Sequence, residues 1–358
     1  MLSTLDLFSG AGGLTLGFKE AGFDCFAAVE IDRSSVETFT LHSPSSRIYD
    51  TDVCNVDFKY LNGKIDVVIG GPPCQPFSIG GLRDGELDSR DMVPEFIRVV
   101  EEVKPLAFVM ENVPGLATFA QSNYFSKVLN ALNQLGYQIT WKILKTEDYG
   151  IPQIRRRLII VGIKNSNFIF PEPTHGHTPH LLPIVNAGTI LKAEPLGIPN
   201  NCKVYYAKKV QLRPSPHHGL LFNGGGRCIN LNKPAPTIIS SAGGNKTHFI
   251  DILGNVTEYH NNLMQGGPVR EGFVPGCRRI TSLESALIQT FPENIKFCGP
   301  TSSQYRQVGN AVPVKLAKII AEALKDQLIN PNNNLSHAIN HIKIQSDLFD
   351  NNQQKIKI

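Results

Sequence analysis

Short apolar runs of strand length recur through the first 165 residues with helix-like segments between them, and few folds accommodate that alternation. Leu2–Leu7, Cys25–Val29, Val67–Ile69, Ala107–Met110 and Leu158–Ile163 read as strands, and Leu14–Ala21, Pro94–Val103 and Tyr124–Leu135 carry helical periodicity. This predicts an α/β domain, a mostly parallel sheet covered by helices. From about Phe170 the texture changes. Ten prolines fall between Pro171 and Pro236, and Asn223-Gly224-Gly225-Gly226-Arg227 interrupts any regular pattern, which marks a boundary. Helical pattern returns at Ser282–Gln289 and Val314–Gln327, and the chain after Leu328 is rich in Asn, Gln and Lys. The expected division is therefore 1–172, a second, smaller and mostly irregular or β domain over 173–298, a return to the first domain over 299–330, and a poorly ordered polar tail over 331–358.

A chain of 358 residues has room for about two domains and a substantial core, and its hydrophobic content of 41% excludes wholesale disorder. Seven scattered cysteines do not make a disulfide framework, and the odd count fits a reducing compartment, so the expected location is cytoplasmic. The N-terminus carries no leader pattern, and no apolar run approaches the ~18 residues of a membrane span. Net charge is only +4, but residues 173–298 contain 12 Lys and Arg against 6 Asp and Glu, so +6 resides there and −2 elsewhere. A basic, irregular segment is what a polyanion-facing surface requires, although a solvated insertion would look the same by charge alone.

Four constellations carry chemistry. The first strand runs into Asp6-Leu7-Phe8-Ser9-Gly10-Ala11-Gly12-Gly13, and Glu30 ends the second strand about 20 residues later. Glycines admit a ligand close to the backbone, and the later carboxylate suits ribose hydroxyls, so a nucleoside-bearing cofactor follows. The glycine spacing is not the dinucleotide pattern, and the Phe8 ring offers a surface for a base, which favours S-adenosyl-L-methionine over NAD. Second, Gly70-Gly71-Pro72-Pro73-Cys74-Gln75-Pro76-Phe77-Ser78 follows the strand Asp66–Ile69. Two prolines stiffen the approach to a cysteine at the carboxyl end of a central strand, a candidate nucleophile. Third, Phe108-Val109-Met110-Glu111-Asn112-Val113 ends a strand in a carboxylate that the topology brings near Cys74. Fourth, in Gln153-Ile154-Arg155-Arg156-Arg157 a strand beginning at Arg155 would put Arg155 and Arg157 on one face.

Taken together and in this order, these residues resemble the DNA (cytosine-5) methyltransferases of bacterial restriction-modification systems. The resemblance extends to Arg278-Arg279-Ile280-Thr281, Glu284, Gln289-x-Phe291-Pro292 and Gln307-Val308-Gly309-Asn310-Ala311-Val312-Pro313, and it covers most of 3–165 and 275–325. It departs after Asp88-Ser89-Arg90, where Asp91-Met92-Val93-Pro94 replaces the family's usual Gly and aromatic-rich helix. It implies a Rossmann-like S-adenosylmethionine-dependent sheet with 173–298 as the target-recognition domain. Implied catalytic residues are Cys74, Glu111, Arg155 and Arg157. Phe8, Gly10, Gly12, Glu30, Asp52, Pro72 and Asn310 would line the cofactor site.

The implied reaction is methylation of C5 of a flipped-out cytosine in a short double-stranded DNA sequence. Gln75, Ser78, Arg227, Thr237, Ser240, Ser241, Asn245 and Lys246 are the candidate DNA contacts, Thr237-Ile238 matching the Thr-aliphatic pair the family carries at about that place. A monomer paired functionally with a restriction endonuclease is expected, with no membrane and no metal site. The alternatives are an RNA methyltransferase of the same fold, whose late Cys-Phe-Thr motif is absent, a silent DNA-binding regulator, against which intact Cys74, Glu111 and Arg157 argue, and a nicotinamide dehydrogenase.

Overall fold

A computed structural model describes residues 1–74, 91–118, 123–212, 221–222 and 226–330. The expected DNA contacts Gln75 and Ser78 and the polar tail 331–358 lie outside the described residues. The strands β1 (Ser3–Leu7), β2 (Asp24–Glu30), β3 (Arg47–Asp50), β4 (Val67–Gly70), β5 (Ala107–Asn112), β6 (Gln138–Lys145), β7 (Gln153–Ile154) and β8 (Arg156–Ile163) account for the first half. All but β7 join one sheet in the order β3-β2-β1-β4-β5-β8-β6. β1 to β5 run parallel, and β8 is antiparallel to both neighbours. Every residue of β4 and β5 is buried, which is why those runs are apolar without alternation.

Helices α1 (Gly13–Glu20), α2 (Arg33–His42), α3 (Val93–Val103), α4 (Gly115–Thr118) and α5 (Asn123–Gln134) intervene, and α6 (Asn255–Met264), α7 (Ser282–Ile288), α8 (Thr301–Asn310) and α9 (Val314–Ile329) follow. One face of the sheet packs Phe96, Val99, Val100 and Val103 of α3 and Leu132 of α5 against Val68, Phe108 and Ile160. On the other, Leu14 and Phe18 of α1 and Leu316, Ile320 and Leu324 of α9 meet Val67, Ile69, Val109 and Val161.

Helix α9 reaches this face because α1 has no side chain where the two cross. A Cβ on Gly17 would lie 2.5 Å from the Ala317 Cβ and 2.6 Å from the Val314 carbonyl oxygen, and one on Gly13 would lie 2.5 Å from the Val312 oxygen. The last described helix is thereby packed on the first.

Residues 173–298 use very short strands: β9 (His175–Gly176), β10 (Leu182–Pro183), β11 (Tyr205–Tyr206), β12 (Leu221–Phe222), β13 (Ala235–Pro236), β14 (Phe249–Asp251) and β15 (Cys277–Arg279). A local core of Val204, Tyr206, Phe249, Val256, Tyr259 and Val274 supports them. A second cluster runs between the two parts of the chain, joining Ala11 and Val314 to Ala187, Ile229, Ile238, Ile250 and Ile288. Among the described residues no helix is long and apolar enough to cross a membrane.

Because α9 covers one face of the sheet, a chain ending at Thr301 exposes Phe18, Val109 and Val161 and should lose its cooperative thermal transition and its solubility. A chain ending at Asn330 should melt like the full-length protein. A cooperative transition at the full-length midpoint in the shorter chain would contradict the packing.

Candidate active site

The direction of chain travel changes between β1 and β4: one half of the sheet grows from β1 toward β3 and the other from β4 outward. Open α/β sheets have a crevice at the carboxyl end of strands at such a point. Both glycine-rich loops leave the sheet there.

After β1 the chain turns sharply, with φ of 57° at Phe8, 54° at Gly10 and 83° at Gly12. The left-handed Phe8 is uncommon for a bulky residue and is held by the Ser9 amide, which donates to the Val29 carbonyl at 3.1 Å. A Cβ on Gly10 would meet nothing within 4 Å, so the loop borders open space. Glu30 organises it: one carboxylate oxygen accepts the Gly10 amide at 2.7 Å, the other those of Ile31 at 2.9 Å and Asp32 at 2.7 Å. Burial pushes the Glu30 carboxyl above its ordinary range, against the pull of these amides. Ile31, 66% exposed beside it, is an apolar surface at the same rim that sequence reasoning passed over. Asp52, half-buried, accepts the Cys54 amide at 3.0 Å and starts a short 3₁₀ turn. Asn310 is exposed at the end of α8. The buried Ser9 hydroxyl has no hydrogen-bond partner among the described residues. An open glycine cradle, an unpartnered hydroxyl and a fixed carboxylate fit a nucleoside-bearing group.

After β4, Gly70 packs on the Leu7 carbonyl, where a Cβ would sit 2.6 Å away. Pro72 is buried and its carbonyl accepts the Asn112 side-chain amide at 3.1 Å, which ties the loop to the end of β5. Cys74 is buried and pairs through its backbone with Asp91, while the Met92 amide donates to the Pro73 carbonyl at 2.9 Å. Gly71 leaves Glu111 room: a Cβ there would be 2.9 Å from a carboxylate oxygen of Glu111.

Glu111 pairs across the antiparallel ladder with Ile159, so Arg157, two residues along β8, is its diagonal neighbour on the same face. Arg157 Nε lies 2.6 Å from a Glu111 oxygen, both side chains being largely buried. Burial pushes the Arg157 guanidinium below its ordinary value, and Glu111 opposes that shift.

Arg155 is the most deeply enclosed of the three consecutive arginines. It falls between β7 and β8, not within a continuous strand, and is 1% exposed. Its guanidinium donates to the carbonyls of Ile238 at 2.9 Å, Gly309 at 2.9 Å and Ala311 at 3.0 Å. Arg155 and Arg157 are both turned inward with exposed Arg156 between them, and Arg155 feels the charges of Arg157 and Glu111, so the two share one side as the alternation predicts. Arg155 spends its terminal nitrogens on the carbonyls and thereby joins the β7–β8 junction to the segments around Ile238 and Gly309. Gln153 and Gln289 extend the same network, Gln153 donating to Gln289 at 2.8 Å and accepting the Ile238 amide at 2.9 Å.

Among the expected DNA contacts, Arg227, Ser240, Ser241, Asn245 and Lys246 are exposed. Thr237 is half-buried, and its hydroxyl donates to the Ile154 carbonyl at 2.6 Å.

A family model described as C-5 cytosine-specific DNA methylase matches residues 2–326. The Type II methyltransferase M1.HphI of Haemophilus parahaemolyticus is 34% identical over 349 residues, covering 90% of this chain and 86% of that protein. The Type II methyltransferase M.HindV of Haemophilus influenzae is 32% identical over 326 residues, covering 90% and 96%. A solved structure of a Spodoptera frugiperda DNMT2 variant superposes with a TM-score of 0.67 at 20% identity, over 91% of this chain and 99% of that one, which shows a shared fold.

Asp6, in the middle of the apolar Leu5-Asp6-Leu7 run, is fully buried beneath the first loop and accepts the Thr15 hydroxyl at 2.6 Å, its other oxygen having no partner among the described residues. Burial pushes its pKa to about 7 from 3.8, Thr15 opposing and Glu30 adding. A folded-state pKa above the unfolded one means that its contribution to stability is full below about pH 4 and is lost as pH rises through about 7. Asp6→Asn keeps an acceptor for Thr15 without that loss. The thermal midpoint of the variant relative to wild type should rise between about pH 4 and 8; a difference that does not change with pH would contradict the buried carboxyl.

Proposed function

The chain belongs to the C-5 cytosine-specific DNA methylases, and from that premise we propose that Cys74 adds covalently to C6 of a flipped-out cytosine within a short duplex sequence. The enzyme is a DNA (cytosine-5) methyltransferase of restriction-modification character; the reading goes further in assigning residues, cofactor and partner.

Cytosine C5 is too electron-poor to take a methyl group unaided. Addition of the Cys74 thiolate at C6 drives electrons into the ring, and Glu111, hydrogen-bonding or transferring a proton at N3, stabilises the charge that arrives there. Arg157, already paired with Glu111, holds that carboxylate in place and offers guanidinium donors to the base. S-adenosyl-L-methionine, when bound, supplies the electrophilic methyl that C5 accepts. The C5 proton then leaves, the Cys74–C6 bond breaks and aromaticity returns. Phe8, Gly10, Gly12, Glu30, Asp52, Pro72 and Asn310 would hold the cofactor. The stacked duplex hides the face of the base that Cys74 must attack, so the base has to leave the helix.

The observation that carries this reading is the meeting of the Cys74 loop with the Glu111–Arg157 pair at the ends of two adjacent parallel strands. Residues 173–298, with their excess of positive charge, would recognise duplex DNA, the protein acting as a monomer beside a restriction endonuclease that cleaves the same sequence.

Bisulfite sequencing of DNA from cells expressing the chain tests the reading. Wild type should leave one cytosine in a single short sequence unconverted throughout the genome, and Cys74→Ala should leave none. Complete conversion with soluble wild type, or protection that survives in Cys74→Ala, would overturn it.

A further inference from the structure

His248 lies between β13 and β14, is 4% exposed, and has a backbone partner at each ring nitrogen. The Arg227 amide donates to Nδ1 at 3.0 Å, and Nε2 lies 3.0 Å from the Thr237 carbonyl oxygen. An amide can only donate and a carbonyl can only accept. The two partners therefore fix the ring as the neutral tautomer, Nδ1 bare and Nε2 protonated.

Those partners belong to segments with different attachments. Thr237 and Ile238 are fastened to the catalytic side: Thr237 donates to Ile154, Gln153 accepts the Ile238 amide, and Arg155 donates to the Ile238 carbonyl. That corner leads directly into β8, which carries Arg157. Arg227 has an exposed side chain on a loop pressed against the histidine's own segment. The Phe249 amide donates to the Arg227 carbonyl at 3.1 Å, and a Cβ on Gly226 would lie 2.1 Å from the Thr247 oxygen. One imidazole thus links the exposed loop to the pair clamped on the catalytic sheet.

We infer that neutral His248 is a positioning residue that keeps the Arg227 loop in register with the Thr237-Ile238 pair, so that sequence discrimination is lost when the ring is protonated or truncated. The inference rests on the reading of 173–298 as the DNA-recognising part. Protonation would turn Nδ1 into a donor facing the Arg227 amide, removing that bond. The charged groups acting on the ring are Arg227 from the loop and Arg279 from β15, with Lys246 and Asp251 nearby on its own segment. Burial, then the Arg227 and Arg279 charges, hold its pKa below the ordinary histidine value, while the Thr237 carbonyl opposes them. The neutral ring's contribution is therefore present in full above about pH 6.5 and is lost as pH falls through the lowered pKa of the folded ring.

The test uses the full chain with S-adenosylmethionine and two duplexes, one containing the sequence mapped by bisulfite and one with a single base pair of it changed. The ratio of their kcat/KM values cancels the pH dependence of the chemistry common to both. As the pH is lowered from about 8 through the depressed pKa of His248, the wild-type ratio should fall about tenfold, the low end of a base-reading contact. His248→Ala should show the low ratio throughout. His248→Gln, with an acceptor and a donor but no titration, should show a ratio independent of pH and above that of the alanine variant.

A ratio in His248→Ala equal to wild type at every pH would overturn the inference while leaving the functional reading intact. Methylation of neither duplex by wild type would overturn both. Should the variants fail to fold, nitrogen-15 spectra of histidine-labelled wild type at about pH 7.5 decide. The Nε2-protonated neutral ring is expected at His248, and the other tautomer or a charged ring would overturn the inference.

Discussion

The packing of α9 on the glycine surface of α1 is the contact on which the rest of the structure depends. Gly13 and Gly17 remove the side chains that would hold the helices apart, and α9 then covers the sheet with Leu316, Ile320 and Leu324. Residues separated by some 300 positions become neighbours as a result. The Gln307–Pro313 segment comes to lie at the carboxyl edge of β1, and its Gly309 and Ala311 carbonyls become available to Arg155. Only glycine serves at these crossings, because the atoms a Cβ would strike at Gly13 and Gly17 include backbone oxygens that cannot step aside.

Two arginines with a single residue between them illustrate how burial sorts function. Arg157 faces Glu111, a charge partner, at the strand ends where Cys74 also arrives. Arg155 faces backbone carbonyls. Removing it would take this donor from the buried Ile238 and Gly309 carbonyls, an unsatisfied buried acceptor costing about 1–3 kcal/mol, while the Ala311 carbonyl would keep the Gln289 side-chain amide. The catalytic side and the recognising side are thus joined by a polar network as well as by the apolar cluster containing Ile238 and Val314. This joint holds the Thr237-Ile238 pair from below while His248 holds it from the other side.

Much of this was legible in the sequence because the informative residues are chemically unusual where they stand. Strands β1, β2, β4, β5 and β8 are apolar and bounded by glycine, proline or charge, so their existence and order could be read. Helix α2 could not: Arg33-Ser34-Ser35-Val36-Glu37-Thr38 is poor in helix formers, and the segment is helical because Asp32 caps it and Val36 and Phe39 are buried. Strand β6 at the sheet edge mixes polar and apolar residues with most positions half-buried, so no period stands out. The alternation of Arg155, Arg156 and Arg157, turned inward, outward and inward, was legible, but the carbonyls that Arg155 meets lie far away in sequence and could not be read from it. Over 173–298 the strands are two or three residues long, too short for any periodicity, and the roles of His248 and Gln153 come from partners distant in sequence. Asp6 did leave a signal, a carboxylate within an apolar run.

The claim at the centre of this account is that Cys74 forms a covalent bond to the target base. The most direct measurement is peptide mapping of the adduct formed with S-adenosylmethionine and a duplex carrying 5-fluorocytosine at the methylated position, since fluorine cannot leave as a proton and the bond to C6 should persist. The account predicts a denaturation-resistant complex in which the modified peptide contains Cys74. A complex mapped to another residue, or none from an enzyme that methylates the unsubstituted duplex, would contradict it.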